Sequence, residues 1–289
     1  MKAFKKLFSS PTDREPEVFI EEGLHHILYK TFVAKTGLFP NEELVTMNKK
    51  ILWSMMFDVT DEKRLCADKY KARSFVLERI GDKYLLKELG VWDDIESIDF
   101  DALPEKFLLK LNVGAGKHRL VTNKSKLNVG ALKKLFHKWF VTDHAFKAFE
   151  MQYYKSTKRL FCLEALDMQD IEFNVFVFHG KVRYIQASLF SSDDRKTGTR
   201  VFDENWNEQD FYIQDFKIPG DVPKPDCLDN LIEKSEILGA EFDFVRVDWQ
   251  VTSQGELKFK EFVFSPSAGN IQFHPGDANN KMGGYWIVP

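Results

Sequence analysis

An α+β fold is what this sequence predicts. Helical periodicity dominates its first third, and antiparallel hairpins dominate much of the rest. The clearest hairpin is Phe244-Val-Arg-Val-Asp-Trp-Gln-Val251 followed by Leu257-Lys-Phe-Lys-Glu-Phe-Val-Phe264, two runs rich in β-branched and aromatic residues, with Gly255 in the short link between them. A second joins residues 171–178 to 181–187 through His179-Gly180. No internal repeat or low-complexity tract competes with this pattern.

Taken in order, residues 17–57 read as helices. Phe19, Leu24, Ile27, Leu28 and Phe32 recur at helical spacing, Gly37 and Pro40 interrupt, and Leu44, Met47, Ile51 and Met55 resume. His25 and His26 would stand about 100° apart on such a helix, so they make a poor joint metal site. Residues 61–89 read as a second helical region, with Leu65, Tyr70, Phe75, Val76, Leu77, Ile80 and Leu86 as its buried positions. A connector ending at Pro104 leads into a strand at 106–111, a glycine-bearing loop at 112–118 and a short strand at 119–122. Residues 127–149 read as helix punctuated by Gly130, and 159–164 as an apolar strand. A long loop over 191–207, a helix ending at 239 and a turn-rich stretch at 265–270 complete the chain.

The totals narrow the class. With 44% hydrophobic and 29% charged residues in 289, the chain is an ordinary globular protein able to bury a large core. Its 27 phenylalanines suit strands packed on both faces. Cys66, Cys162 and Cys227 are odd in number and widely spaced, which favours a reducing compartment over a disulfide framework or a zinc site. A net charge of −3 and a pI near 6.2 argue against a nucleic-acid partner. The basic start, Met1-Lys-Ala-Phe-Lys-Lys-Leu-Phe8, breaks at Ser9-Ser10-Pro11 without the apolar core of a signal peptide. No run of about 18 apolar residues exists. The expectation is a cytoplasmic protein whose basic tip is a solvated tail, with weak membrane-surface contact the lesser reading.

Chemistry enters through the first hairpin. If Gln254 and Gly255 form the loop, Ser253 pairs with Glu256, Gln250 with Phe259, Trp249 with Lys260, and Asp248 with Glu261. Opposed β-carbons lie about 5 Å apart on one face. Two carboxylates so placed repel each other unless a cation lies between them. Magnesium takes one or two carboxylates plus phosphate oxygens and water. Arg246 points to the same face and is a candidate to meet a phosphate or acyl-phosphate. The bland alternative is the solvent-facing side of a half-buried sheet. Lys110 closes an apolar strand just before Gly114 and Gly116, whose backbone N–H groups can approach phosphate oxygens closely. This is not a Walker A loop, because Leu111 stands where its first glycine belongs and His118 replaces Ser/Thr. The pair Asp99 and Asp101 has the spacing by which many glycosyltransferases hold a metal-bound sugar nucleotide.

The order of the pieces is more specific than any one of them. Asp68-Lys-Tyr-Lys-Ala-Arg73, Pro104-Glu-Lys-Phe-Leu-Leu-Lys110 with its glycine loop, and Leu163-Glu-Ala-Leu166 come first. Glu172-Phe-Asn-Val-Phe-Val-Phe-His-Gly-Lys-Val182, Arg246-Val-Asp248 and Glu261-Phe-Val-Phe-Ser-Pro-Ser-Ala-Gly269 follow. From about residue 40 to its end the chain resembles the ATP-grasp superfamily, in its TupA-like (teichuronopeptide biosynthesis) branch.

The resemblance implies two antiparallel-sheet lobes gripping ATP. Residues 1–60 would form an N-terminal helical region and 61–105 a preceding segment. Residues 106–166 would be the small lobe, and 167–289 the large lobe with the metal site. Lys69 and Lys110 match the lysines on the ATP phosphates, Gly114 and Gly116 the closing loop, and Glu164, Ala165 and Leu166 the hinge at the adenine edge. Asp248 and Glu261 match the Mg2+ ligands. The superfamily's further Asn falls at Val263, leaving Asn270, Ser265 or water to fill the place. Arg246 and Arg200 are the candidates for steadying an acyl-phosphate. The implied reaction joins an amine, such as an amino acid, to the carboxylate of a uronic-acid-bearing surface glycan or its precursor, with ATP as the driving cofactor. A metal-dependent glycosyltransferase and a non-catalytic glycan-binding relative are the rival readings.

Overall fold

The computed structural model describes residues 30, 32–34, 37, 43–190, 196–214 and 216–288. The chain divides into a unit of residues 1–43 and a unit of residues 44–289, and the elements named below belong to the second. The helix expected through Phe19, Leu24, Ile27 and Leu28, with the His25-His26 pair, lies outside the described residues.

Helix α1 (Met47–Phe57) opens the second unit, capped by Thr46, whose hydroxyl accepts from the Lys49 amide. The single helical region expected over 61–89 is instead two helices, α2 (Asp61–Ala67) and α3 (Ala72–Ile80), followed by strand β1 (Glu88–Trp92). Asp68 separates the helices by accepting hydrogen bonds from the amides of Tyr70 and Lys71. Leu65 and Leu77 stand exposed, contrary to their assignment as core, whereas Val76 and Leu86 are buried.

Four strands form the smaller sheet, in the order β1, β4 (Leu160–Glu164), β2 (Phe107–Leu111), β3 (His118–Val121), all antiparallel. Phe107, Leu109, Leu111, Leu160 and Cys162 pack on Leu132 and Phe136 of α4 (Val129–Val141). The helix expected over 127–149 breaks not at Gly130 but at Asp143, whose carboxylate accepts from the amides of Ala145 and Phe146 and starts α5 (His144–Ala148). The opposite face of the sheet presents Leu108, Phe161 and Leu163.

The larger sheet runs β10 (Leu257–Val263), β9 (Phe244–Thr252), β5 (Met168–Phe178), β6 (Lys181–Phe190), β7 (Lys196–Phe202), again antiparallel throughout. Strand β7 occupies part of the stretch expected to be loop. A two-stranded pair, β8 (Tyr212–Ile213) with β11 (Phe273–His274), and a short helix α7 (Ala278–Gly283) follow the chain toward its end.

One face of the larger sheet, with Phe173, Val175, Val177, Val245, Val247, Trp249 and Val251, packs on α3 and on α6 (Leu228–Gly239). The Trp249 indole N–H donates to Ser235 Oγ at 2.9 Å, and Ser235 in turn donates to the Leu231 carbonyl, so this core leaves that polar atom satisfied. Helix α6 approaches the sheet at Gly239, where a Cβ would lie 2.6 Å from Val177 Cγ1. Gly239→Ala is expected to destabilise the fold by about 1–3 kcal/mol through overpacking, read as a lower urea midpoint.

The central hairpin turns differently from the expectation. The Gly255 amide donates to the Thr252 carbonyl and the Thr252 amide to the Glu256 carbonyl, giving a three-residue loop with Gly255 at φ +86°. Lys258 therefore faces Gln250 and Phe259 faces Trp249, one residue off the expected register. A bulge at Lys260 then takes up the extra residue, and Glu261 falls opposite Asp248 after all.

Candidate active site

Strand alternation lays a polar face over the core face of the larger sheet. Arg246, Asp248 and Gln250 of β9 alternate with buried Val247, Trp249 and Val251. Asp248 is flanked by Glu261 on one side and Asn174 on the other. The bulge turns Lys260 and Glu261 both toward this polar face, while Phe259 and Phe262 stay in the core.

Asp248, Glu261 and Glu172 each have a cation. Arg246 grips Asp248 through two parallel bonds, Nε to Oδ1 at 2.7 Å and Nη2 to Oδ2 at 2.6 Å. Lys69 Nζ lies 3.1 Å from Glu261 Oε2 and donates to the Gly114 carbonyl at 2.8 Å. Lys260 pairs with Glu172, whose other oxygen accepts from Asn174 Nδ2.

Burial raises the Asp248 carboxyl above its ordinary range against the pull of Arg246, with Glu172 and Glu261 adding to the rise. Burial would raise Glu261 as well, but Lys69, Lys110 and Lys260 outweigh it and hold that carboxyl at about 2. Lys110 is the exception to the pairing. Its ammonium makes no hydrogen bond or ion pair with a described residue, lies 5.9 Å from the Phe161 ring centre, and is pushed by burial down to about 8.

Local hydrogen bonds explain why Lys69 stands beside the glycine loop. Its amide donates to the Asn112 carbonyl, and Asn112 Nδ2 donates to Asp68 Oδ2 at 2.7 Å and to the Thr157 carbonyl. Asn112 Oδ1 accepts from the Arg159 amide. One buried asparagine thus ties the α2–α3 junction to the start of the loop and the approach to β4. Within the loop Gly114 and Gly116 adopt φ of +80° and +66°. The His144 ring lies behind Gly114, where a Cβ would meet Nε2 at 2.5 Å.

Between the sheets lies a cleft of about 360 Å³, within the range of small-molecule sites. Leu86, Leu108, Phe161, Leu163 and Met168 make its apolar part, and Lys69, Lys110, Lys260 and Glu261 its charged end. Glu164, Ala165 and Leu166 form its rim, with Glu164 anchored to residue 87 by both its amide and its carboxylate. Gly116 lines the cleft, Gly114 reaches it through the carbonyl on Lys69, and Asp248 lies beside Glu261.

Two expected residues stand elsewhere. Arg200 pairs with Ala187, a core residue, and so points to the face opposite Gln186 and Ser188. There it donates to the Ile218 carbonyl and pairs with Glu208. Asn270 is exposed outside the cleft lining, its side-chain oxygen accepting from Gln272 at 3.2 Å. Asp99 and Asp101 are exposed in a turn closed by Asp101 N to Asp99 Oδ1.

Sequence reasoning assigned no role to Glu172, Lys260, Arg73 or Gln250, which also line the cleft. For Glu172 a signal existed, since it precedes Asn174 by two residues and shares its face. Among the described residues no three His, Cys, Asp or Glu side chains gather as a metal-binding cluster. The opposed pair Asp248 and Glu261, with its mutual repulsion, fits an ion that takes one or two carboxylates and fills its remaining positions with phosphate oxygens and water.

The family model described as TupA-like ATPgrasp matches residues 49–287. No curated protein sequence matches the chain. Among solved structures, an L-amino acid ligase from Bacillus licheniformis is similar with a TM-score of 0.50 and 13% identity, covering 86% of this chain and 56% of that one. A D-alanine–D-alanine ligase from Bacillus anthracis is similar with a TM-score of 0.39 and 15% identity, over 68% of this chain and 56% of that one. N5-carboxyaminoimidazole synthetase from Staphylococcus aureus gives 0.42 and 12%, over 69% and 44%. The chain spans about half the length of these structures. The family match, by contrast, runs through nearly all of the chain from α1 onward, and the protein belongs to the TupA-like ATP-grasp family.

Proposed function

We propose that the protein is an ATP-dependent carboxylate–amine ligase that joins an amine, such as an amino acid, to a carboxylate of a uronic-acid-bearing glycan or its precursor. The observation that carries this reading is the charged end of the cleft. There Lys69, Lys110 and Lys260 converge on Glu261, directly opposite Asp248. In this reading residues 106–166 are the lid and 167–289 the floor. Adenine lies among Leu108, Phe161, Leu163 and Leu166 against the 164–166 rim, and the phosphates lie under the Gly114–Gly116 loop. Asp248 and Glu261 would hold Mg2+, which when bound supplies charge neutralisation at the transferring phosphoryl group.

The chain's own residues do the remainder. Lys69 and Lys110 place fixed positive charge where the terminal phosphate develops charge as a substrate carboxylate attacks it. The products of that step are an acyl-phosphate and ADP, and the amine then displaces phosphate to form the amide. Arg246 keeps Asp248 oriented through its bidentate grip, and is the candidate to meet the acyl-phosphate edge. Among the described residues no helix is long and apolar enough to cross a membrane, and a cytoplasmic place of work is part of the proposal.

Saturating Mg-ATP is expected to stabilise the protein by about 2–4 kcal/mol, as for any ligand at 100 to 1,000 times its Kd, read as a thermal shift that UDP-sugars do not produce. A shift with UDP-sugars alone would favour a glycosyltransferase instead. Multiple-turnover ADP release should require an amine and a uronic acid together.

A further inference from the structure

The whole-chain charge of −3 conceals a strong asymmetry. Residues 106–166 carry thirteen Lys and Arg against three Asp and Glu, a net of +10. On part of this segment the charge is compensated by acids from neighbouring elements. Lys133 pairs with Glu96, Arg159 with Asp93, and Lys106 with Asp167.

Around the outside of the glycine loop no such ion pairs form among the described residues, and the exposed acid there, Asp143, caps α5. Lys117 in the loop, Lys138 in the last turn of α4 and Lys147 in α5 form no ion pair with a described residue. Lys117 sits over the Trp139 ring at 5.2 Å. Burial lowers its pKa, and Lys147 and Lys138 lower it further, so the Lys117 ammonium feels both of the others.

Behind Gly114 lies His144, its ring edge-on to Tyr153 and its Nε2 buried without a hydrogen-bond partner among the described residues. Burial first, then Lys117, Lys69, Lys147 and Lys158, bring this imidazole down to about 4. Lysines gathered without acidic partners among the described residues are costly in the free protein, and an arriving anion would relieve them.

We propose that this face, formed by the glycine loop, the end of α4 and α5, is the docking surface for a carboxylate-bearing polysaccharide, the polyanionic substrate of the ligase. The inference rests on the ligase reading for the identity of that substrate. A single phosphate has its place on the inner side of the loop, at Lys69 and Lys110. The outer cations are spread over three elements instead, which suits a chain with repeated charges. The surface is also continuous with the cleft, because Gly116, Lys117 and His118 line the cleft mouth. A chain lying along it presents one of its carboxylates to the phosphate end.

The test is fluorescence anisotropy with a labelled oligogalacturonate on the full chain, in wild type and in Lys138→Ser/Lys147→Ser. Both side chains are exposed, so the double variant keeps its fold, and neither belongs to the ATP site. Wild type is expected to bind with an affinity that falls with salt, and the variant roughly tenfold more weakly with a shallower salt dependence. A control at Lys181 and Lys234 on the larger sheet's side should change nothing, and the methyl-esterified oligomer should not compete.

Equal binding by variant and wild type would overturn the proposal, as would preferred binding of single-stranded DNA or of anionic phospholipid vesicles. The Mg-ATP thermal shift, measured on the same samples, separates the two readings. If it is present while the oligouronate fails to bind, the docking surface fails and the ligase stands. If it is absent while binding depends on Lys138 and Lys147, the ligase fails and the surface stands.

Discussion

Lys110→Met is expected to stabilise the nucleotide-free protein by about 3 kcal/mol and to lower ligase activity by about two to three orders of magnitude. The two effects share one cause. Lys110 is buried, finds Glu261 already paired with Lys69, and holds no hydrogen bond of its own among the described residues. Its pKa falls from 10.5 to about 8. The unfolded chain therefore binds the proton more tightly than the folded one does.

That penalty is present in full below pH 8. It shrinks as pH rises from 8 through 10.5, above which the lysine is neutral in both states. Methionine keeps the unbranched shape and removes the charge. Urea titrations at pH 7, 9 and 10.5 should show the variant's advantage narrowing with pH, and an advantage that widens would sink the explanation. Arriving phosphates are the partner the ammonium lacks, so the stabilised variant should show little Mg-ATP shift.

Asp248→Ala and Glu261→Gln are each expected to cost about a thousandfold in ATP-dependent turnover, since both remove charge at the proposed phosphoryl site. Their stabilities should diverge. Asp248→Ala leaves the Arg246 guanidinium buried with its fork empty, which costs about 3–5 kcal/mol. Replacing Arg246 with Met in the same chain should recover much of that loss without recovering activity, a coupling that two independent structural defects would not show.

For Glu261 the pH dependence runs opposite to that of Lys110. Its folded pKa of about 2 lies below the ordinary 4.5. The carboxylate's stabilising contribution is therefore present above pH 4.5 and is lost as pH falls toward 2. The stability gap between wild type and Glu261→Gln should close over that interval.

How much of this was legible in the sequence depended on parity. Asp248 opposite Glu261 was read from a two-residue loop. The observed pairing comes from a three-residue loop and a bulge whose offsets cancel. Strand alternation tolerates such paired errors, because two shifts of one residue restore the face. It does not tolerate a single one. Arg200 was assigned to the site, but its pairing with Ala187 sends it to the far face.

Lys260 escaped notice for the same reason, since a bulge leaves no compositional mark and regular alternation would have buried it. Strand β1 was missed because its exposure pattern does not alternate, and Leu65 and Leu77 were misplaced because an apolar residue on a helix need not face the core. What survived was the ordered set of short motifs, which depends on identity and sequence order more than on register.

The cancelling offsets in the β9–β10 hairpin also constrain how its tip can change in length. Surface turns ordinarily accept insertions and deletions at little cost. Shortening this turn by one residue would have to be absorbed at the bulge, some five positions away. Glu261 would keep its place opposite Asp248, while Lys260 would swing from the cleft into the phenylalanine core beneath. Deleting one of residues 253–255 would therefore take Lys260 from the charged end of the cleft and bury it opposite Trp249, while Phe259 would turn out of the core toward Gln250.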